Sequence, residues 1–381
     1  MFLMIWVNDF WTLTNIPKWL IHAKYGEDYL GFSDLIFPWF LFIVGLSIPY
    51  AIENRISQGQ KSIIIWIHIL FRTIALIIMG LFHMNMETYN HDVSIISKPI
   101  FTIICTIAIF SIWNKYPKNK NDNKSIFRYR SIIGIFILAC LFIIYKGKGN
   151  DGSEIGFSIH WWGILGLIGW VYIIAASLYL IFRKSTLAAV ILFTACIILN
   201  IVSSLGYSYN IFSWQNSNWI PGNGGLQGLA FGGIITSLLL KKYDISKNIR
   251  KFYTLLSIIA IIAFFSGLFL RKYFIINKIS GTPSWILISL SSSILIFTLL
   301  HWITDLKGKI NWYKPINTAG TDTLTCYLVP YIYYSAGTIL GIQMPVFLRT
   351  GIIGLTKSIL FSFIIIWIAR LLRTKNIRLI I

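Results

Sequence analysis

The stretch SDLIFPWFLFIVGLSIPYA, from Ser33 to Ala51, decides the fold class of this chain. Its single charged side chain is that of Asp34, at the start of the run. The hydrocarbon core of a bilayer is about 30 Å thick, and a helix that crosses it needs about 20 mainly apolar residues. The segment is therefore predicted to span a membrane, with the Asp34 carboxylate at the bilayer edge.

Similar apolar runs recur along all 381 residues, without a low-complexity linker or an internal repeat. They predict an all-α fold, a polytopic membrane helical bundle that forms a single domain over residues 1–381. We expect about 11 spans, preceded by a short helix that ends near Val7. The predicted spans are Ser33–Ala51, Ser62–Phe82, Pro99–Trp113, Ser131–Tyr145, Gly163–Phe182, Ser185–Ser203, Leu226–Leu240, Phe252–Leu270, Ser284–Thr304, Thr321–Ala336 and Thr350–Leu372.

The composition agrees with this class. Hydrophobic residues make up 56% of the chain, charged residues only 12%, and the mean hydropathy is +0.71. A soluble protein carries about twice that charge, and the runs are too long for barrel strands, which alternate over about 10 residues. Four cysteines lie within apolar runs without paired spacing, so we expect buried thiols and neither disulfides nor a metal site. They are Cys105, Cys140, Cys196 and Cys326.

The net charge of +20 is distributed in short clusters between the apolar runs. No basic face, tail or recognition motif accompanies it, so nucleic acid is not an expected partner. If the loop from Asn8 to Ser33 is placed outside, 22 of the 33 Lys and Arg residues fall in inner connections and nine in outer ones. Inner loops of membrane proteins are enriched in Lys and Arg. We therefore predict a protein of the cytoplasmic (inner) membrane in which the loop from Asn8 to Ser33, called the His22 loop after the histidine it contains, is extracytoplasmic.

The candidate catalytic group consists of three polar residues in or beside this outer loop. His22 lies within the loop, and Asn8 and Asp34 lie at its two ends. A neutral histidine is the usual general base near neutral pH, and it needs a partner that fixes its tautomer and orientation. Asp34 or Asn8 could be that partner, and the amide could instead stabilise an oxyanion. The alternative interpretation is an ordinary loop histidine beside an aspartate that caps a helix.

Two further residues in the third predicted helix are candidates for cofactor binding. Arg72 lies well inside this apolar run, and His68 shares its helix face four residues earlier. Arginine is costly at that depth. It either lines a cavity that receives an anion such as a phosphate or extends its side chain to the inner surface. Asp322, another carboxylate at a span end, is expected to pair with a basic residue.

The predicted outer loops combine aromatic and hydrogen-bonding side chains. This composition suits a sugar, whose ring face stacks on aromatics while its hydroxyls are hydrogen-bonded. It is equally typical of the aromatic belt at a membrane interface, and the sequence leaves both open. The loops are Met84–His91, Ile159–Trp162 and Trp214–Gly225.

The segment from Val7 to Pro49 resembles the heparan-α-glucosaminide N-acetyltransferase family. The resemblance rests on Val7-Asn8, on His22-Ala23 and on the block from Asp34 to Ile48. Weaker similarities follow. They are Leu70–Thr73 with Gly80–Leu81, Ser97–Pro99 and Leu324–Leu328.

The resemblance implies transfer of an acetyl group from cytosolic acetyl-CoA, as co-substrate, to an amino sugar or oligosaccharide on the opposite face. It places the catalytic histidine at His22 and its partner at Asn8. Family members usually begin with a basic stretch before the first span, so either the true start lies upstream of Met1 or the first helix is truncated. The lumenal domain of animal members has no counterpart, and heparan specificity is not implied.

Several alternatives stay open at this stage. His22 could act as a base or as a nucleophile that forms acetyl-histidine. The protein could be an O-acyltransferase of surface polysaccharide, or a transporter of a sugar or glycopeptide without catalysis. The expected partners are the lipid bilayer, acetyl-CoA and the glycan acceptor. The oligomeric state, a homodimer included, is not determined by the sequence.

Overall fold

The computed structural model describes residues 1–115, 124–149, 151–207, 220–243 and 245–381. Thirteen α-helices lie in this part of the chain, and one short antiparallel hairpin pairs β1 (Gly147–Lys148) with β2 (Glu154–Ile155). The helices are α1 (Phe2–Asn8), α2 (Ser33–Ser57), α3 (Ser62–Glu87), α4 (Lys98–Trp113), α5 (Lys124–Ile144), α6 (Gly163–Ile181), α7 (Thr186–Ser204), α8 (Gly225–Lys242), α9 (Ile245–Leu270), α10 (Pro283–His301), α11 (Asn317–Thr321), α12 (Thr323–Ile339) and α13 (Gly351–Thr374).

The all-α prediction is confirmed, and each predicted span coincides with a helix. The predicted number of spans, about 11, is not confirmed. Among the described residues, seven helical segments are long and apolar enough to cross a membrane, and they make the chain a multi-pass membrane protein by length and composition. The segments are Ser33–Ser57, Ser62–Glu87, Gly163–Ile181, Thr186–Ser204, Asn248–Leu270, Pro283–Leu306 and Gly351–Thr374.

Part of the difference has a geometric cause. The apolar helix α4, Lys98–Trp113, is shorter than a full span. At a rise of about 1.5 Å per residue, 16 residues of α4 reach only about 24 Å, less than the hydrocarbon thickness. An apolar run in the sequence therefore predicted the helix correctly but not its reach.

The chain forms two compact units, each built from separate stretches. Unit one contains Met1–Pro17, Met79–His160 and Asn311–Ile381. In it, α1, α12 and α13 enclose a core that includes Ile5, Cys326 and Ile365, and α4 packs against α5 and α12. The sequence predicted four buried thiols; Cys105 and Cys326 are fully buried, whereas Cys140 and Cys196 are only partly buried.

Unit two contains Lys18–Ile78 and Trp161–Ile310. Helices α2 and α8 form its most extensive contact, and α6 and α10 also pack against α2. Two glycines allow the close approach. A Cβ atom on Gly45 would lie 1.9 Å from the Ala230 carbonyl oxygen, and one on Gly233 would lie 2.0 Å from that of Phe42. Small residues at such crossings are a common means of helix association in membranes.

We expect Gly45→Ala to destabilise unit two by about 1–3 kcal/mol, because the new methyl group can be accommodated only if α2 and α8 move apart. Gly337→Ala is the matched control, since a Cβ atom there meets nothing within 4 Å and alanine favours the helix. Thermal unfolding in detergent, followed with a thiol-reactive dye, should give a lower midpoint for the first variant only. Equal midpoints would contradict the role of this contact.

Candidate functional site

The His22 loop is fastened to the first turn of α2. Ser33 donates a hydrogen bond to the Leu20 carbonyl (2.5 Å), and the Phe32 amide donates to the Trp19 carbonyl (2.7 Å). Gly31 lies directly under the loop, where a Cβ atom would be 1.7 Å from the Ile21 carbonyl oxygen. Glycine is therefore required for this approach, which brings the loop onto the helix start.

Asp34 is held in this first turn by three donors. Its Oδ2 accepts hydrogen bonds from the backbone amides of Ala23 (2.9 Å) and Gly31 (3.1 Å), and its Oδ1 lies 2.7 Å from His22 Nδ1. The carboxylate is only 1% exposed, and a carboxylate near a helix N-terminus is stabilised by the helix dipole. A buried carboxylate with these fixed partners is a preorganised acceptor.

This contact determines what the imidazole can do. An ionised carboxylate only accepts hydrogen bonds, so Nδ1 carries the proton that is shared with Asp34. The lone pair of a neutral His22 is then on Nε2, to which no described group hydrogen-bonds. The His22 side chain is 47% exposed, in contrast to its buried partner. The pair can accept a proton at Nε2, while Asp34 stabilises the imidazolium that forms.

The loop is also held from the α9–α10 connection. Buried Asn277 donates to the Lys24 carbonyl (2.8 Å) and to the Glu27 carbonyl (3.0 Å). Asp28 accepts hydrogen bonds from Arg271 and from the Ile276 amide. These contacts join distant segments of the chain, since Asn277 and Lys24 are 253 residues apart.

Lys278 is the residue of this site that sequence reasoning missed. Its Nζ lies 3.3 Å from His22 Nδ1 and 4.0 Å from Asp34 Oδ1. Because Nδ1 already donates to Asp34, the lysine acts as a nearby positive charge. Burial lowers the pKa of Lys278, and the Asp34 charge opposes that shift. In the sequence, Lys278 is distinguished only as a lysine in a predicted outer loop.

We expect Lys278 to lose its proton at a lower pH than a free lysine side chain, since burial disfavours the ammonium form. Labelling by trinitrobenzenesulfonate across a pH series, read by mass spectrometry of the Lys278 peptide, should show a midpoint below that of Nα-acetyl-lysinamide. The pH midpoint of labelling does not depend on how accessible the amine is to the reagent, because accessibility changes only the rate of labelling. A midpoint at or above the reference would contradict the prediction.

The other predicted site residues are not gathered around His22 within unit two. Asn8 belongs to unit one, where it is the exposed last residue of α1. Arg72 and His68 are in unit two, on an exposed face of α3. The guanidinium carbon of Arg72 lies 4.7 Å from the centre of the Tyr172 ring, a cation–π contact.

Two residues of the outer loop Met84–His91, whose composition suits a sugar, are buried. Asn85 has no exposed surface and donates to the carbonyls of Leu81 and Ser158, and its Oδ1 accepts from the Ser158 amide. Tyr89 packs against Phe101 and Tyr145. Both serve the packing of unit one. Residues 214–219 of the third aromatic loop lie outside the described residues.

Fold and site together define a multi-pass helical membrane protein with an aspartate–histidine pair at the start of an apolar helix. The family described as "Domain of unknown function (DUF5009)" matches residues 10–223, more than half of the chain. The chain belongs to this family, and the matched region includes His22 and Asp34. No curated protein matches the chain.

Proposed function

We propose that this protein is a transmembrane acetyltransferase. It moves an acetyl group from cytosolic acetyl-CoA to an amino sugar or glycan on the extracytoplasmic side of the inner membrane. The observation that carries the proposal is the 2.7 Å contact between His22 Nδ1 and the buried Asp34 carboxylate, which leaves Nε2 as a base beside solvent. The resemblance of this segment to glucosaminide N-acetyltransferases supplies the reaction class.

The proposed reaction balances without a further reagent. The acceptor amine attacks the thioester carbonyl, and a C–N bond forms while Nε2 of His22 takes a proton from the nitrogen. Collapse of the tetrahedral intermediate breaks the C–S bond. The imidazolium then returns its proton to the leaving thiolate, which gives coenzyme A and the N-acetyl product.

A covalent route uses the same residues. Nε2 attacks the thioester to form acetyl-histidine with release of coenzyme A, and the acceptor amine then removes the acetyl group. Rapid quenching of the protein with labelled acetyl-CoA in the absence of acceptor separates the two routes. Label that remains on the His22 peptide indicates the covalent route, and unlabelled protein indicates direct transfer.

Purified protein, incubated with acetyl-labelled acetyl-CoA, tests the function. Glucosamine should become labelled, whereas N-acetylglucosamine, which offers only hydroxyls, should not. Labelling of the hydroxyl acceptor instead would assign an O-acyltransferase. Binding of glycans without any label transfer would contradict the proposal and favour a transporter.

A further inference from the structure

A second polar site lies within unit one, at the C-terminal end of α13. It is a cavity of about 660 Å³ between the last turns of α13, the helix α11 and the 3₁₀ turn at Asn311–Ile316. Three basic side chains line it, together with one amide and two hydroxyl groups. They are Lys314, Arg370, Arg373, Asn317, Thr318 and Thr374.

The positive charge of this cavity exceeds what its surroundings neutralise. Asp322 is buried nearby, and both Arg373 and Arg378 form ion pairs with it. The predicted pairing of Asp322 with a basic residue is thereby confirmed. Lys314 and Arg370 have no carboxylate within ion-pair distance among the described residues, and both are exposed. None of the residues that line the cavity is acidic.

Two arginines of this cavity lie close together on one helix. Arg370 and Arg373 are three residues apart in α13, so they share a helix face, where like charges repel. The negative end of the helix dipole offsets only part of this repulsion. An anion bound between them would remove it, and arginine is well suited to phosphate because its fork of donors can bind two oxygens.

We propose that this cavity binds the phosphate-bearing nucleotide end of coenzyme A, an inference that rests on the proposed function. The volume lies in the range of about 300–1,000 Å³ that is usual for small-molecule sites. Lys314 and Arg370, which have no carboxylate partner among the described residues, are available to phosphate groups beside the ion-paired Arg373. Asn317, Thr318 and Thr374 offer donors and acceptors for the ribose and base. The charge distribution of the sequence assigns all three cations to the cytosolic side, where coenzyme A is found.

The headgroup of an anionic lipid shares the phosphate chemistry, and the test separates the two sources. Wild-type protein and the double variant Lys314→Ala/Arg370→Ala are placed in nanodiscs of phosphatidylcholine, and binding of coenzyme A is measured by calorimetry. We expect the double variant to bind roughly 10- to 100-fold more weakly, since hydrogen bonds to charged groups are lost. Arg370→Lys, which keeps the charge, should lose less.

The matched control is Lys375→Ala, an exposed cation next to α13 that does not line the cavity. Its affinity should stay within about twofold of wild type. The competing site is tested with Arg72→Ala. If that variant loses coenzyme A binding while the double variant retains it, the assignment to the cavity is overturned.

Two further outcomes distinguish this inference from the proposed function. If label transfer occurs and the double variant keeps the wild-type KM for acetyl-CoA, the cavity assignment fails and the function stands. If no transfer occurs but the double variant loses binding of coenzyme A and inorganic tripolyphosphate, the cavity assignment stands and the function fails. Binding of phosphatidylglycerol-containing nanodisc lipid in place of coenzyme A would overturn the nucleotide assignment.

Discussion

Replacing His22 by alanine is expected to lower acetyl transfer by about 10²- to 10⁴-fold, the usual contribution of a general base. The loss should be in kcat, because the proton moves only in the transition state. About half of the side chain is exposed, so its truncation is not expected to open a large cavity in unit two. Label transfer from acetyl-CoA to glucosamine is the measurement.

The matched control for this variant is His91→Ala. His91 Nε2 lies 3.2 Å from Asp92 Oδ1, but both of these side chains are largely exposed. If an exposed histidine beside any aspartate were sufficient, the two variants would behave alike. Addition of free imidazole should partly restore the His22→Ala protein, since the vacated position opens to solvent. Full activity of His22→Ala would exclude the proposed mechanism.

Asp34→Asn is expected to lower transfer by an amount on the order of 10²- to 10⁴-fold, although the change in size is small. The amides of Ala23 and Gly31 both donate to Oδ2, so the carbonyl oxygen of an asparagine must take that position. Its NH₂ group then faces His22 Nδ1 and donates to it. The ring proton moves to Nε2, which can no longer accept a proton from the acceptor.

The tautomer is directly observable in this case. Nitrogen-15 chemical shifts of labelled histidine should report the proton on Nδ1 in the wild-type protein and on Nε2 in Asp34→Asn. Asp92→Asn serves as the control and should leave transfer unchanged. If the variant keeps both its activity and the original tautomer, Asp34 does not orient the base.

The sequence predicted the helices because they depend on local properties. A run of apolar residues near 20 in length needs an internally hydrogen-bonded structure in a membrane, whatever surrounds it. His22 and Asp34 could be selected on the same basis, since an ionisable group at the end of such a run is costly unless it has a partner. Their pairing across 12 residues is close enough in the chain to be expected.

Contacts between distant segments were decided by the tertiary structure alone. Lys278 reaches His22 across 256 residues of sequence, and the basic cavity joins the ends of α11 and α13 with the turn before α11. The burial of Asn85 and Tyr89 likewise depends on neighbours from other segments, such as Ser158 and Phe101. Hydropathy and spacing describe a residue and its near neighbours in the chain. These arrangements depend instead on which helix faces pack together. That packing is determined by the shapes of the side chains at each contact, such as the absence of a side chain at Gly45 where α2 meets Ala230.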